Sequence, residues 1–313
     1  MNTLTAFINA LPGAFGQGLV WGIMAIGVYI TYRILDIADL TVDGSLATGG
    51  AVAAIAISLG INPWLAVLLA VLAGMLAGMV TGIFHTRCGI PAILSGILTQ
   101  LALYSLNLRI MAIGSTAKTK ATVALSVDNQ DLLLSSRYVR EIGLNNPILL
   151  LAVFIIVLIG ALYWFFGTEL GCALRATGAN QNMARAQGIN TDSGKVLGLV
   201  LSNGLVALSG ALLAQYQGSA TVDMGRGAIV IGLAAVIIGE VVFKGFVNFA
   251  SKMTAVILGA IIYYVVITLV LRLGLESTDL KLLTALVVAA FLTVPYLMGK
   301  RHAKLKKGGP RNA

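Results

Sequence analysis

Three carboxylates near the start of the chain stand at a spacing that would place them on one helix face. Asp36, Asp39 and Asp43 occupy positions i, i+3 and i+7, and Arg33 lies one turn before them. Carboxylate oxygens are ligands that hard cations prefer. The cluster predicts either a cation site or a solvated group that serves a helix start, and the neighbouring arginine favours the second.

A second polar group lies between residues 91 and 113, within an otherwise apolar stretch. Gln100, Tyr104 and Asn107 follow at i, i+4 and i+7, so they share a helix face, and Thr99 lies beside them. Polar side chains in an apolar surrounding must find hydrogen-bond partners or water. This face is predicted either to line a translocation pathway or to form hydrogen bonds to a neighbouring helix.

No residues show the spacing of a catalytic or metal site. The stretch GINTDSGKV at 188–196 has five residues between its glycines and ends in Lys-Val, whereas a phosphate-binding loop needs four and Lys-Ser/Thr. His85 and His302 have no nucleophile around them, and Cys88 and Cys172 lack metal or redox spacing. We predict no catalytic residue, metal site or cofactor in this chain, so use of ATP would require another subunit.

The elements that carry these residues are long apolar segments. The chain of 313 residues is 58% hydrophobic and 11% charged, with a mean hydropathy of +0.94, whereas soluble domains carry about a quarter charged residues. A bilayer-spanning helix needs roughly 20 apolar residues. Segments of that kind lie at about 12–32, 40–60, 62–84, 91–113, 147–167, 195–217, 227–243, 252–272 and 282–299. The sequence predicts an all-α polytopic membrane protein of nine spans, forming one domain over 1–313.

The distribution of basic residues predicts the orientation of these spans. If the tail at 300–313 is cytoplasmic, nine spans place the N-terminus outside, and thirteen of the 21 Lys and Arg residues fall on the side of the tail. This bias is the positive-inside rule of membrane proteins. The net charge of +9 thus indicates orientation and contact with anionic lipid rather than nucleic-acid binding.

The tripeptide Thr-Val-Asp occurs twice, and its surroundings predict an internal duplication. The copies at 41–43 and 221–223 are 180 positions apart, and Gly18 and Gly198 share the same offset. One residue, Met224, is inserted before the correspondence resumes. Repeat A would cover about 12–113 and repeat B about 195–299, joined by the span at 147–167. Such a unit enters the membrane the second time in the opposite sense, as in the inverted-topology repeats of many transporters.

Each copy of the tripeptide also has a local interpretation as a helix start. Threonine is a common N-cap residue, and aspartate is favourable near the positive end of the helix dipole. We therefore assign Thr41, Asp43, Thr221 and Asp223 as helix-start residues.

A row of small residues and two long connections give further predictions about packing and partners. The third span carries a small residue every fourth position from Ala66 to Gly82, which predicts close helix packing. The outer connection 114–146 is long enough to dock a partner or to lack structure. The cytoplasmic connection 168–194 contains a predicted short helix, 180–187, whose composition suits a surface offered to a partner.

At these residues the chain resembles the membrane permeases of ABC importers for branched-chain amino acids, ribose and related solutes. The shared cytoplasmic pattern is Gly-x-x-Leu-Arg-Ala-x-Gly-x-Asn-x-x-x-Ala-x-x-x-Gly-Ile. The pattern matches Gly171, Leu174, Arg175, Ala176, Gly178, Asn180, Ala184, Gly188 and Ile189. Arg185 lies within the same segment and is assigned to the same role. The stretches GIPAILSGIL and ILDIADLTVDGSLATGGAVAA are similar to the same permeases, the second to the branch assigned to tryptophan and tyrosine.

The resemblance implies a type II importer fold and an assembly of several subunits. It implies a permease homodimer, two ATPase subunits that bind ATP and Mg²⁺ and dock on the cytoplasmic motif, and an extracytoplasmic solute-binding protein. The expected solute is small and amino-acid-like, and the expected location is the bacterial plasma membrane. The alternative is a secondary transporter coupled to an ion at the Asp36–Asp43 cluster.

Overall fold

The computed structural model describes residues 3–125, 132–136, 139, 146–245, 248–272, 282, 285–286, 288–290 and 293. Helices account for almost all of the regular structure in these residues, which confirms the all-α prediction. They are α1 (Thr3–Tyr29, continued by a π-helical turn at Ile30–Ile34), α2 (Thr41–Ser58), α3 (Pro63–Thr86), α4 (Ala92–Ile110), α5 (Pro147–Gly167), α6 (Glu169–Ala179), α7 (Gln181–Ala186), α8 (Thr191–Gln217), α9 (Ala228–Val242) and α10 (Phe249–Arg272).

Eight helical segments of the described residues are long and apolar enough to cross a membrane. They coincide with the first eight predicted spans, and their ends differ from the prediction by a few residues. The predicted ninth span, 282–299, lies mostly outside the described residues, and the basic tail at 300–313 lies wholly outside them.

Helices α1, α2 and α8 are the most deeply buried of the described spans, and small residues let their neighbours approach closely. Helix α8 packs along α3 and α2, and α1 packs along α10. A Cβ on Gly74 of α3 would overlap the Asn203 carbonyl and the Ala207 Cβ of α8, and one on Gly78 would overlap the Leu199 carbonyl. The predicted role of the small-residue row in helix contact is therefore confirmed.

The pairs of packed helices follow a repeating scheme. Helix α1 contacts α9 and α10, whereas α8 contacts α2 and α3. Within each set, the second and third helices also pack together, α2 on α3 and α9 on α10. An internal duplication that relates α1 to α8, α2 to α9 and α3 to α10 would produce this scheme.

The connection between α4 and α5 includes a segment that folds back onto the bundle. Strand β1 (Thr122–Ala124) pairs antiparallel with β2 (Ser219–Thr221), which follows α8. Val123 and Leu125 are buried there, and the backbone N–H of Leu133 donates to Oε1 of Gln215 at 3.0 Å. The described part of this connection thus covers one end of the bundle, which the sequence did not predict.

The two Thr-Val-Asp segments begin beside different neighbours in the bundle. The Thr41 hydroxyl is hydrogen-bonded to Thr81, five residues before the end of α3. Thr221 pairs with Thr122 in the connection after α4.

Candidate functional site

The chain breaks its helix between the first two spans and buries a carboxylate in the break. Helix α1 ends in the π-helical turn, Asp36 adopts the left-handed conformation at φ 55°, and α2 begins at Thr41. Asp39, between them, is 2% exposed. Since the helix is interrupted, the i, i+3, i+7 relation of the carboxylates does not hold in space.

Asp39 is held by neutral donors rather than by a cation. Its Oδ1 accepts from the backbone N–H of Thr41 at 2.9 Å, and its Oδ2 accepts from Nδ2 of Asn203 at 2.7 Å. Asn203 Nδ2 also donates to the carbonyl of Leu199 at 3.0 Å, and its Oδ1 accepts from Ser45 at 2.6 Å. Burial raises the pKa of Asp39, and the hydrogen bonds from Thr41 and Asn203 partly oppose that rise.

Asp39, rather than Thr41, makes the side-chain cap at the start of α2. The Thr41 side chain makes no cap bond, and its hydroxyl is 2.8 Å from that of Thr81. Thr81 in turn donates to Thr99 at 2.9 Å, and Thr99 is 3% exposed. Of the two interpretations of Thr99, the structure favours the hydrogen bond between helices over the pathway.

Asp43 caps a helix of the second half of the chain. Its Oδ2 accepts from the backbone N–H of Gly227 at 3.0 Å, and its Oδ1 accepts from that of Ile229 at 2.9 Å. Gly227 is in the left-handed conformation at φ 84° and immediately precedes α9. A Cβ on Gly225 would overlap the carbonyl of Asp43. The first Thr-Val-Asp segment is therefore in direct contact with the segment that follows the second.

The second tripeptide begins a short 3-10 helix, Val222–Gly225, instead of α9 itself. Thr221 occupies the position before this helix with extended backbone and makes no side-chain cap bond. Asp223 lies in its first turn and forms an ion pair with Nε of Arg226 at 2.8 Å. Asp223 therefore lies in the first turn of the 3-10 helix, whereas Asp43 caps α9.

The three carboxylates of the predicted cation site have separate surroundings. Asp36 is exposed, Asp39 faces Asn203, and Asp43 faces the start of α9. No group of three acidic, histidine or cysteine side chains that could hold a metal ion occurs among the described residues. The geometry does not support the cation site.

Part of the predicted polar face of α4 lines a pocket where α2, α4 and the segment before α9 meet. We call it the junction pocket, and its volume is about 280 Å³. Its lining residues are Asp43, Gly44, Ala47, Gln100, Leu101, Tyr104, Asn107, Val222 and Arg226. A Cβ on Gly44 would come within 3.1 Å of the Gln100 Cα, so this glycine keeps α2 close to α4.

The three polar residues of α4 differ in exposure. Tyr104 is 41% exposed and has the guanidinium carbon of Arg226 at 5.9 Å from its ring centroid. Gln100 is half-buried. Asn107 is buried, and neither its Oδ1 nor its Nδ2 has a hydrogen-bond partner within the described part of the chain. All three residues that were predicted to share one face of α4 thus line the junction pocket.

The motif at 171–189 forms two helices, one more than predicted, and much of it is used to hold the chain's own fold. Leu174 in α6 is fully buried. A Cβ on Gly171 would overlap Phe165 and Phe166 of α5, and one on Gly178 would overlap the Ile34 carbonyl. These motif residues dock α6 onto α5 and onto the π-helical turn, and they do not present a surface to another protein.

The predicted short helix is confirmed as α7, with caps at both ends. Asn180 Oδ1 accepts from the backbone N–H of Met183 at 3.0 Å, and Gly188 follows the helix at φ 80°. Ala184 is 4% exposed. Arg185 Nε donates to Thr191 at 2.7 Å, and its terminal nitrogen is 3.3 Å from Asp192, so this arginine helps to join α7 to α8.

The exposed part of the motif lies on α7 and on one face of α6. Met183 is 64% exposed, and Asn182, Ala186 and Gln187 are exposed as well. Arg175 is exposed, with its guanidinium carbon 6.0 Å from the Phe249 ring centroid, while Ala176 is half-buried. The surface available to a partner is thus narrower than the motif.

Two contacts between the halves of the chain were missed from the sequence: that of Asn203 with Asp39, and that of Asp43 with the start of α9. Asn203 is the one amide side chain in the largely apolar stretch VLGLVLSNGLVALSG, and a buried amide is normally hydrogen-bonded. That signal could have marked Asn203 as a partner of another buried polar group, although not which one.

Comparison with known proteins places the chain among transport proteins. Residues 12–293 match the family described as the permease component of branched-chain amino acid transport systems. A tyrosine transport system permease protein of Clostridioides difficile is 43% identical over 95% of this chain and 96% of its own. The ribose import permease of Escherichia coli is 28% identical over 82% of this chain and 75% of its own.

Two further matches agree with this grouping. An uncharacterized protein of Rickettsia prowazekii is 33% identical over 90% of this chain and 96% of its own. A solved structure of a metal-chelate type ABC transporter in an inward-facing conformation aligns with a TM-score of 0.51 at 17% identity, over 92% of this chain and 86% of that one, which supports the fold alone. With its bundle of apolar helices and its match over 12–293, the chain belongs to the branched-chain amino acid transport permease family and is the membrane-spanning permease component of an ABC transporter.

Proposed function

We propose that the chain carries a small amino-acid-like solute into the bacterial cell. A relative that shares 43% of its residues is named for tyrosine transport, so an aromatic or branched-chain amino acid is the expected solute. An extracytoplasmic binding protein would deliver it, and separate ATPase subunits would supply the energy.

The junction pocket carries the proposal that the solute passes beside α4. It gathers polar side chains from three elements within a chain that is otherwise apolar, and polar groups at membrane depth usually serve a pathway or find a partner. Gln100, Tyr104 and Asn107 are the proposed pathway residues. Thr99, which is bonded to Thr81, positions α4 against α3.

The packing scheme of the helices supports an inverted-topology repeat. The pairs α1–α10 and α8–α3 are equivalent in that scheme. The proposed orientation places α6, α7 and the C-terminus in the cytoplasm and the N-terminus outside. The excess of Lys and Arg on the side of α6 and α7 supports this orientation.

The exposed face of α7 and the adjoining Arg175 are the proposed contact with the ATPase. With ATP and Mg²⁺ bound in that subunit, energy must reach the bundle as a displacement. Gly178 docks α6 on the π-helical turn, next to the non-helical segment between α1 and α2, and Arg185 joins α7 to α8 by a hydrogen bond. A movement of α7 would therefore be transmitted to both halves of the chain.

A second copy of the chain is the proposed partner within the membrane. Helix α4 leaves most of its surface exposed, including Leu101 at 63% beside the junction pocket. A homodimer that covers this face would enclose the pathway between two copies. Helix α5, with Trp164 73% exposed, is the proposed face toward membrane lipid.

Reconstitution tests the proposal directly. Proteoliposomes containing the chain with its ATPase should take up radiolabelled L-tyrosine or another amino acid only when ATP and the binding protein are supplied. An ATPase variant that cannot hydrolyse ATP is the matched control. Uptake driven by an ion gradient without ATP would contradict the proposal and support the secondary-transporter alternative.

Labelling of single cysteines tests the pathway. Gln100→Cys and Tyr104→Cys should react with a small aqueous thiol reagent in at least one state of the transport cycle. Thr99→Cys, one position from Gln100, is the control and should stay protected because Thr99 lies in the α3–α4 contact. Protection at all three positions would return the α4 face to a purely structural role.

A further inference from the structure

The Asn107 side chain is an uncommitted hydrogen-bonding group at the wall of the junction pocket. It is 1% exposed, lines the pocket, and has no partner for either Oδ1 or Nδ2 among the described residues. A buried amide without partners is unfavourable, and the great majority of such groups in proteins are satisfied. Its two donors and one acceptor are thus available to a molecule that enters the pocket.

The same pocket carries one basic and one acidic side chain from adjoining elements. Arg226 is ion-paired to Asp223 through Nε at 2.8 Å, with both side chains 61% exposed, and an exposed pair of this kind is weak. The guanidinium has further donors that can bind a carboxylate. Asp43 is fixed by the N–H groups of Gly227 and Ile229, and its oxygens can accept further bonds.

The size and walls of the pocket favour a small solute. Its volume of about 280 Å³ is at the lower limit of the range of roughly 300–1,000 Å³ for small-molecule sites. The Tyr104 ring and Leu101 give it an apolar side that is exposed toward the face of α4. A lining with one charge of each sign matches a molecule that carries both.

We propose that the junction pocket is a binding station for the zwitterionic head group of an α-amino acid on its way through the membrane. Arg226 binds the carboxylate, Asp43 attracts the ammonium group, and Asn107 hydrogen-bonds the head group between them. The solute side chain lies toward Tyr104. This assignment rests on the proposed function and adds to it a site within the permease that selects by head-group charge, independently of the binding protein.

Direct binding to the permease–ATPase complex in lipid nanodiscs, without the binding protein, tests the station. The probe is L-tyrosine, detected by saturation-transfer NMR at millimolar concentration. Its competitors are tyramine, which lacks the carboxylate, and 3-(4-hydroxyphenyl)propionate, which lacks the ammonium group. We expect the wild type to bind L-tyrosine and to bind each analogue about tenfold more weakly, since each lacks one charge-assisted contact.

Two variants separate the roles of the lining residues. Arg226→Gln should weaken L-tyrosine and 3-(4-hydroxyphenyl)propionate by about tenfold and leave tyramine unchanged, because only the carboxylate contact is lost. Arg272→Gln, which removes an exposed arginine outside the pocket, is the control and should bind all three compounds as the wild type does.

Asn107→Leu provides a readout that a structural asparagine would not give. It replaces a partnerless amide with an apolar group of similar volume, so the melting temperature should stay the same or rise. L-Tyrosine binding and ATP-dependent uptake should both fall about tenfold, as expected when one hydrogen bond to a charged group is lost. A lower melting temperature with unchanged binding would overturn the assignment.

The two proposals fail in different ways. ATP-dependent amino-acid uptake by the wild type, with no effect of Arg226→Gln or Asn107→Leu on binding or uptake, would overturn the station and leave the proposed function intact. Absence of ATP-dependent uptake of any of the common amino acids would overturn the proposed function. Absence of L-tyrosine binding to the wild-type complex would overturn the station.

Discussion

Replacement of Asn203 by alanine tests how the non-helical segment between α1 and α2 is held in place. The Asn203 side chain makes three hydrogen bonds: to Asp39, to the Leu199 carbonyl and from Ser45. Asn203→Ala would remove all three at once. It would leave the buried Asp39 carboxylate with its bond from the Thr41 backbone and the Ser45 hydroxyl without its Asn203 acceptor.

The expected cost follows from the kinds of bond that are lost. A hydrogen bond to a charged group contributes about 1.5–3 kcal/mol and a neutral one about 0.5–1.5 kcal/mol. One bond of the first kind and two of the second give roughly 2.5–6 kcal/mol. Burial favours the protonated form of Asp39, which makes the bond from Asn203 less strongly charge-assisted, so we expect about 3–4 kcal/mol.

The free energy of unfolding of the purified protein in mild detergent, measured by thermal or denaturant titration, gives this cost. Asn182→Ala on the exposed face of α7 is the matched control, and its effect should be within about 0.5 kcal/mol. A loss of less than 1 kcal/mol for Asn203→Ala would refute the reasoning, because it would mean that Asp39 and Ser45 find other partners at little cost.

Further predictions concern the buried carboxylate and the cytoplasmic helices. Burial raises the pKa of Asp39 above the usual value of 3.8, so its contribution to stability is greatest below that pH and is lost as pH rises through the folded-state pKa; Asp39→Asn should lack this loss in unfolding measured across pH 4–8, and an unchanged pH profile would contradict the assignment. Gly178→Val, which would overlap Ile34, should destabilise the protein by about 1–3 kcal/mol, whereas Gly167→Val, with open space around it, should not; equal effects on the melting temperature would show that α6 docks differently. Met183→Glu should leave the melting temperature unchanged and impair ATPase binding or uptake, and normal uptake would remove α7 from the proposed contact.

The spans could be predicted from the sequence because the requirement for them is local. A run such as 147–167 is long enough to cross the bilayer and carries no charge, and α5 has those same bounds. The row of small residues in α3 was predictable for a similar reason, since glycines at every fourth position can serve only one face of a helix. Its partner, α8, could not be named from the row itself.

The carboxylates show where the local pattern stops being informative. The spacing of Asp36, Asp39 and Asp43 predicted a common face, but the left-handed residue at 36 interrupts the helix. Asp39 then turns toward α8, and Asp43 reaches the start of α9. Helical spacing describes side-chain direction only while the helix continues, and the chain is not helical between Leu35 and Leu40.

The motif at 171–189 shows the same division between local and tertiary information. Its residue types predicted a short helix at 180–187 followed by Gly188, because where a helix ends depends on neighbours in the chain; the cap made by Asn180 was seen only in the structure. Which motif residues remain free for a partner depended on contacts far along the sequence, such as the one between Gly178 and Ile34. By itself, the sequence determined the apolar spans, their small-residue faces and the permease family. The tertiary structure decided which polar groups share a pocket and which are consumed in packing, because burial and hydrogen bonding are properties of residues brought together from distant segments.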